Sequence, residues 1–183
     1  MGKLFRNKYH IGSIRYKGYD YSSPGRYFVT FNTKFRVRHF GHIEDRKMVL
    51  SKSGVIARDC WLEIPNHFSF VKLDEFVIMP DHVHGIIIIE SPKSVESPKS
   101  VESPKLGDST IKFYWNSHSL GLIINQYKRA CTIKIKMMGE DFAWQSKYYD
   151  HIIRTDIELS RIRNYIKSNP EKWDRQNRCI QRF

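Results

Sequence analysis

The sequence predicts an α+β fold: a ferredoxin-like sandwich, an antiparallel sheet with helices packed on it, followed by one further helix at the C-terminus. Three observations predict it. Segments with strand and helix character follow one another in the order β, α, β, β, α, β, α. Gly, Pro, Ser and Asp punctuate them at turn positions. The chain of 183 residues suits a single domain, 1–183, with a core of its own.

Each element has a local reason. Residues 26–33, Arg26-Tyr27-Phe28-Val29-Thr30-Phe31-Asn32-Thr33, are rich in β-branched and aromatic types and follow the turn signal Ser22-Ser23-Pro24-Gly25, which predicts a strand. Residues 53–64 place Val55, Ile56, Cys60, Trp61 and Ile64 at helical spacing, with Pro65 closing the run. Strands are expected over 71–79 and 82–90. Residues 120–138 carry Leu120, Ile123, Ile124, Tyr127, Cys131 and Ile135 on one helical face, with Lys128, Arg129, Lys134 and Lys136 mostly to one side. A short strand covers 148–154. A last helix covers 156–169, opened by the capping pattern Thr155-Asp156-Ile157-Glu158 and stopped by Pro170.

One segment stands outside this pattern. Ser91-Pro92-Lys93-Ser94-Val95-Glu96 repeats once and begins a third time at Ser103-Pro104-Lys105. With a proline in every copy and no apolar face, 91–105 is expected to be a low-complexity loop inserted in the domain.

Composition narrows the function. Lys plus Arg exceed Asp plus Glu by 12, while 40% of residues are apolar and 14% aromatic. This is a folded polycation, whose field attracts polyanions. Aromatic residues sit among basic ones, as in Tyr127-Lys128-Arg129 and Lys147-Tyr148-Tyr149, a mixture suited to phosphates and unpaired bases. No apolar run is long enough to span a membrane, and the N-terminus lacks an apolar signal segment, so a soluble, cytoplasmic protein is expected. Three widely spaced cysteines argue against a disulfide framework and a cysteine zinc site.

Within Met79-Pro80-Asp81-His82-Val83-His84-Gly85, the two histidines are two apart on a predicted strand. They therefore project from one face, and Val83 from the other. Paired imidazoles on a rigid strand are half of a divalent-metal site. The alternative is a hydrogen-bonded structural pair. His39 and His42 read as loop residues.

The heptapeptide resembles the His-hydrophobic-His motif of the HUH single-tyrosine endonucleases, most closely the bacterial REP-associated tyrosine transposases and small insertion-sequence transposases. Further blocks carry the same resemblance. They are Ser13-Ile14-Arg15-Tyr16-Lys17-Gly18-Tyr19-Asp20-Tyr21-Ser22, then Tyr27-Phe28-Val29-Thr30, and Leu73-Asp74-Glu75-Phe76 before the histidines. Trp144-Gln145, Tyr148-Tyr149-Asp150-His151-Ile152-Ile153-Arg154 and Arg161-Ile162-Arg163-Asn164-Tyr165-Ile166-Lys167-Ser168-Asn169-Pro170 complete it. It spans nearly all of 13–173, apart from the repeat.

The resemblance implies that Tyr165, one of ten tyrosines, is the nucleophile on the last helix. Helical spacing puts Tyr165 and Asn169 one turn apart on one face. The implied metal ligands are His82, His84 and Asn169, a donor set suited to Mg2+ or Mn2+. The implied reaction nicks and rejoins single-stranded DNA, with hairpin ends, through a 5′-phosphotyrosine. Arg15, Lys17, Lys128, Arg129 and Arg154 are candidate DNA contacts, and a homodimer is a further expectation by analogy. Three alternatives remain at this level: a nucleic-acid-binding module without catalysis derived from such a transposase, a hydrolase whose nucleophile is water, and a replication initiator of the same endonuclease class.

Overall fold

The computed structural model describes residues 4–5, 9–10, 19–91 and 119–180, with side chains over 19–91 and 119–174. Arg15, Lys17 and all of the repeat beyond Ser91 lie outside the described residues. A short ladder pairs β1 (Leu4–Phe5) with β2 (Tyr9–His10). The central sheet is built from β3 (Gly25–Asn32), β6 (Val71–Met79), β7 (His82–Ile89) and β8 (Tyr149–Ile153), in the order β6-β7-β3-β8. All three pairings are antiparallel. Between them run α1 (Lys52–Leu62), α2 (Ile64–His67) and α3 (Leu120–Met137), and α4 (Asp156–Ile180) follows β8. The expected α+β architecture is therefore the observed one.

The alternation of side chains along the strands makes two layers. Tyr27, Val29 and Phe31 of β3 and Val83, Ile87 and Ile89 of β7 join Trp61, Ile123, Ile124 and Cys131 in the larger core, under α1 and α3. Phe28 and Ile86 point the other way and meet Ile153, Leu159 and Ile166 in a smaller core under α4. Gly85 serves the larger core: a Cβ there would lie 2.3 Å from Cζ2 of Trp61. The indole ring thus packs directly on the β7 backbone, beside the two histidines.

Local chemistry sets several boundaries. Ser51 caps α1 by accepting from the Gly54 N–H at 3.0 Å, and Ser119 caps α3 through the Leu122 N–H at 3.3 Å. Thr155 accepts from the Glu158 N–H at 3.2 Å, while the Glu158 carboxylate takes the Arg154 N–H at 2.9 Å.

The structure corrects three boundaries. Pro65 does not close a helix. It lies in the first turn of α2, where its missing N–H costs nothing. Residues 41–50 form a hairpin, β4 (Gly41–Glu44) with β5 (Lys47–Leu50), so His42 is a strand residue. Its two-residue turn uses positive φ at Asp45 and Arg46, the conformation of a tight hairpin turn. Finally, α4 runs through Pro170 to Ile180. Proline forfeits one helical hydrogen bond. Beyond the proline the helix finds partners in the body: Glu171 pairs with Arg46 at 3.6 Å, and the Trp173 ring packs on His82 with centroids 5.4 Å apart.

Side-chain bonds also fix α4 across the sheet. Arg163 grips Asp74 of β6 with two nitrogens, Nε to Oδ1 at 2.9 Å and Nη2 to Oδ2 at 2.6 Å. One turn further on, Lys167 meets Glu75 at 2.9 Å.

Candidate active site

The β6–β7 connection is a two-residue turn, Pro80-Asp81, between paired Met79 and His82. Proline presets the first turn position and aspartate suits the second. The turn is pinned from outside: the Thr33 N–H donates to the Asp81 carbonyl at 2.9 Å, and the Phe40 N–H donates to Pro80. His82 and His84 follow directly on β7, facing α4 as the alternation requires.

Both rings are nearly buried, His82 at 4% exposure and His84 at 6%. Their Nε2 atoms converge to 3.1 Å. Each Nδ1 is held from behind. His82 Nδ1–H donates to Asp81 Oδ1 at 2.6 Å, and Asp81 Oδ2 in turn takes Arg36 Nε at 3.0 Å. His84 Nδ1 is bonded to the Thr30 hydroxyl at 2.7 Å. Thr30 sits opposite His84 in the β3–β7 register.

Burial, the neighbouring His82 and Arg36 together push the His84 pKa down to about 3, so the ring is neutral at physiological pH. A neutral imidazole is what a metal ligand must be. Because the Thr30 hydroxyl can donate or accept, His84 can carry its proton on either nitrogen. With it on Nδ1, both rings present an unprotonated Nε2 to the same cleft. A carboxylate behind one imidazole and a hydroxyl behind the other are the kind of partners that orient metal-binding histidines.

The C-terminal helix supplies the rest. Tyr165 is 40% exposed, with its hydroxyl 3.3 Å from Nε2 of His84 and its ring edge-on to Phe28. Asn169, one turn on, is 7% exposed and lines the same cleft of about 270 Å³ with Thr30, Arg36, His82, His84, Lys172 and Trp173. Two imidazoles and an amide oxygen fit a divalent cation in donor number and type. The helix thus brings the predicted nucleophile and third ligand to the predicted histidines.

The three proposed DNA contacts among the described residues, Lys128, Arg129 and Arg154, fall elsewhere. Lys128 and Arg129 are on α3, behind the sheet. Arg129 is exposed, whereas Lys128 Nζ donates to the Gln145 carbonyl at 2.7 Å, and burial lowers its pKa to about 8. Arg154 follows β8 at the end away from the histidines, since Tyr149 lies level with Thr30 but Ile153 with Arg26. Tyr148 borders the larger core, and Tyr149 lies on the α4 side, edge-on to Phe28.

Five residues of the site were missed in the sequence: Thr30, Arg36, Asp81, Lys172 and Trp173. Asp81 had a signal, being a turn carboxylate directly before a histidine. Lys172 and Trp173 were hidden by taking Pro170 as the end of the helix.

A four-stranded antiparallel sheet with α1 and α3 on one face and α4 across the other carries the two histidines on an inner strand and Tyr165 on the helix that crosses them. A REP-associated tyrosine transposase bound to a REP hairpin matches with a TM-score of 0.56 at 18% identity, over 86% of this chain and 73% of that one. By sequence, the chain belongs to one family with an uncharacterized Haemophilus influenzae protein, 38% identical over 168 residues, 91% of each chain. A Deinococcus radiodurans protein, itself only provisionally assigned as a transposase, is similar at 15% identity and a TM-score of 0.44, over 84% of this chain and 95% of that one. No family model matches the chain. Among the described residues, no helix is long and apolar enough to cross a membrane.

Proposed function

We propose that this protein is a metal-dependent DNA transposase that nicks and rejoins single-stranded DNA through a 5′-phosphotyrosine on Tyr165. The observation that carries this reading is the Tyr165 hydroxyl, 3.3 Å from Nε2 of His84 in the cleft shared by His82 and Asn169. His82, His84 and Asn169 would hold Mg2+ or Mn2+. When bound, the ion polarises the scissile phosphate and neutralises the charge that develops on it.

The chain's own residues do the remainder. Asp81 and Thr30 orient the two imidazoles. Phe28 and His84 hold the Tyr165 ring, leaving its hydroxyl open to the cleft. Arg36 and Lys172 supply positive charge where the phosphate must enter. Tyr165 Oη attacks phosphorus in line; the O–P bond forms and the P–O3′ bond breaks. The phenol gives up its proton, and the departing 3′ oxygen gains one to become a free hydroxyl. The phosphodiester bond energy stays in the adduct, so a second 3′-hydroxyl can reverse the step and join strands.

An unpaired strand suits a cleft in which the backbone must turn toward a side chain. Hairpin DNA is the partner because the structurally similar transposase is bound to a REP hairpin. The cytoplasm is where such DNA would be met.

The test is a labelled DNA hairpin with unpaired flanks, incubated with the protein and Mg2+ or Mn2+. A covalent adduct mapped by mass spectrometry to Tyr165 is expected. Cleavage without an adduct would make water the nucleophile. Binding without cleavage would make the protein a non-catalytic descendant of a transposase.

A further inference from the structure

The turn that delivers Arg36 to the cleft also does something the reaction does not require. Residues 34–36, Lys34-Phe35-Arg36, form a single 3-10 turn in which Phe35 and Arg36 have φ of +56° and +58°. Left-handed backbone is uncommon for residues other than Gly, Asn and Asp, and two consecutive cases are strained. The surroundings lock the turn in place. Thr33 Oγ–H donates to the Val37 carbonyl at 2.7 Å, and the Lys34 N–H donates to Ala143 at 2.8 Å. Arg36 is tied to Asp81 and to Asn32.

Arg36 explains its half of the strain, because its guanidinium holds the carboxylate behind His82. Phe35 has no such explanation among the described residues. Its side chain is 86% exposed, and the Lys34 ammonium lies 5.1 Å from the ring centroid. A strained turn that presents a large apolar ring to water gains nothing from burial. What it gains is a rigid aromatic face, one residue from an arginine that lines the cleft, set between two cations.

Resting on the function proposed above, we infer that Phe35 is the stacking platform for an unpaired base beside the phosphate that enters the His82–His84–Tyr165 cleft. Every base has a π-face, so the platform tolerates any sequence, while Lys34 and Arg36 hold the neighbouring phosphates. The rigid turn presents the ring already ordered, so that little side-chain or loop entropy is lost when DNA binds.

The test walks abasic sites through the unpaired flanks of a DNA hairpin, with affinity measured by fluorescence anisotropy on the full chain. In the wild type, one flank position should weaken binding about tenfold when its base is missing. Phe35→Ala should weaken binding of intact DNA by a similar factor and become indifferent to base removal at that position. Phe35→Trp should restore the sensitivity. The thermal midpoint should stay unchanged in both variants, because the ring is exposed.

An unchanged affinity in Phe35→Ala, or an abasic penalty that persists in it, would overturn the inference. So would a change of sedimentation behaviour without a change in affinity, which would make Phe35 a contact between copies of the chain. The adduct assay separates the two readings. An adduct on Tyr165 with no effect of Phe35 removes the platform alone. A stacking signal without an adduct removes the catalysis alone. No binding to any hairpin removes both.

Discussion

The Tyr165 hydroxyl stands 3.3 Å from Nε2 of His84, although 81 positions separate the two residues along the chain. Tyr165→Phe keeps the ring between Phe28 and His84 and removes only the oxygen. Folding and DNA binding should survive, with stability within about 1 kcal/mol of wild type. The covalent adduct and cleavage should both vanish. Tyr148→Phe and Tyr149→Phe should still form the adduct, as denaturing gels of cross-linked DNA would show.

His82→Ala and His84→Ala each remove a nitrogen donor and should abolish metal-dependent cleavage while circular dichroism stays native. Asn169→Ala should be milder, since water can replace one oxygen ligand. Asp81→Asn tests the support behind His82. It should weaken metal binding about 10–100-fold, read as a higher Mn2+ concentration for half-maximal cleavage.

Asp74 and Arg163 clamp the tyrosine helix to β6. The Arg163 guanidinium holds the Asp74 carboxyl below the usual carboxylate range. Such a group contributes stability above its unfolded pKa, near 4, and loses it as pH falls through the lowered folded value. Asp74→Asn should therefore lower the urea midpoint at pH 7, and the gap from wild type should shrink as pH drops below about 4. Cleavage at pH 7 should fall with it, because the clamp positions Tyr165.

Gly85→Ala places a methyl group against the Trp61 ring. Loss of about 1–3 kcal/mol of stability is expected. Unchanged stability would mean that the indole can retreat into the core.

DNA binding should depend steeply on salt. If about five to seven phosphates of a single strand are contacted, log K should fall against log salt with a slope of roughly −3.5 to −5. A slope near zero would remove the argument from net charge.

Much of the fold was legible because it rests on local rules. Strict alternation in His82-Val83-His84 placed both imidazoles on one face, and that depends on strand geometry alone. Tyr165 and Asn169 shared a helix face for the equally local reason of 3.6 residues per turn. The β4–β5 hairpin was not legible, because its strands have four residues each with none fully buried, and its turn uses Asp45-Arg46 rather than a glycine pair.

By itself, then, the sequence determined the order of the main elements, the shared face of His82 and His84 and the shared face of Tyr165 and Asn169, since each follows from a repeat of two or 3.6 residues; the choice of Tyr165 among ten tyrosines came from the family resemblance. Tertiary structure alone decided that these halves meet. Which strand lies beside β7, and hence that Thr30 backs His84, depends on pairing distant segments, for which periodicity carries no information. Arg36 reaches Asp81 through a strained turn that propensity disfavours. The helix passes Pro170 and carries Glu171 and Trp173 to partners on the hairpin and the histidine strand, Arg46 and His82. In each case a long-range contact supplied what local preference could not, and Thr30, Arg36 and Trp173 line the cleft as a result.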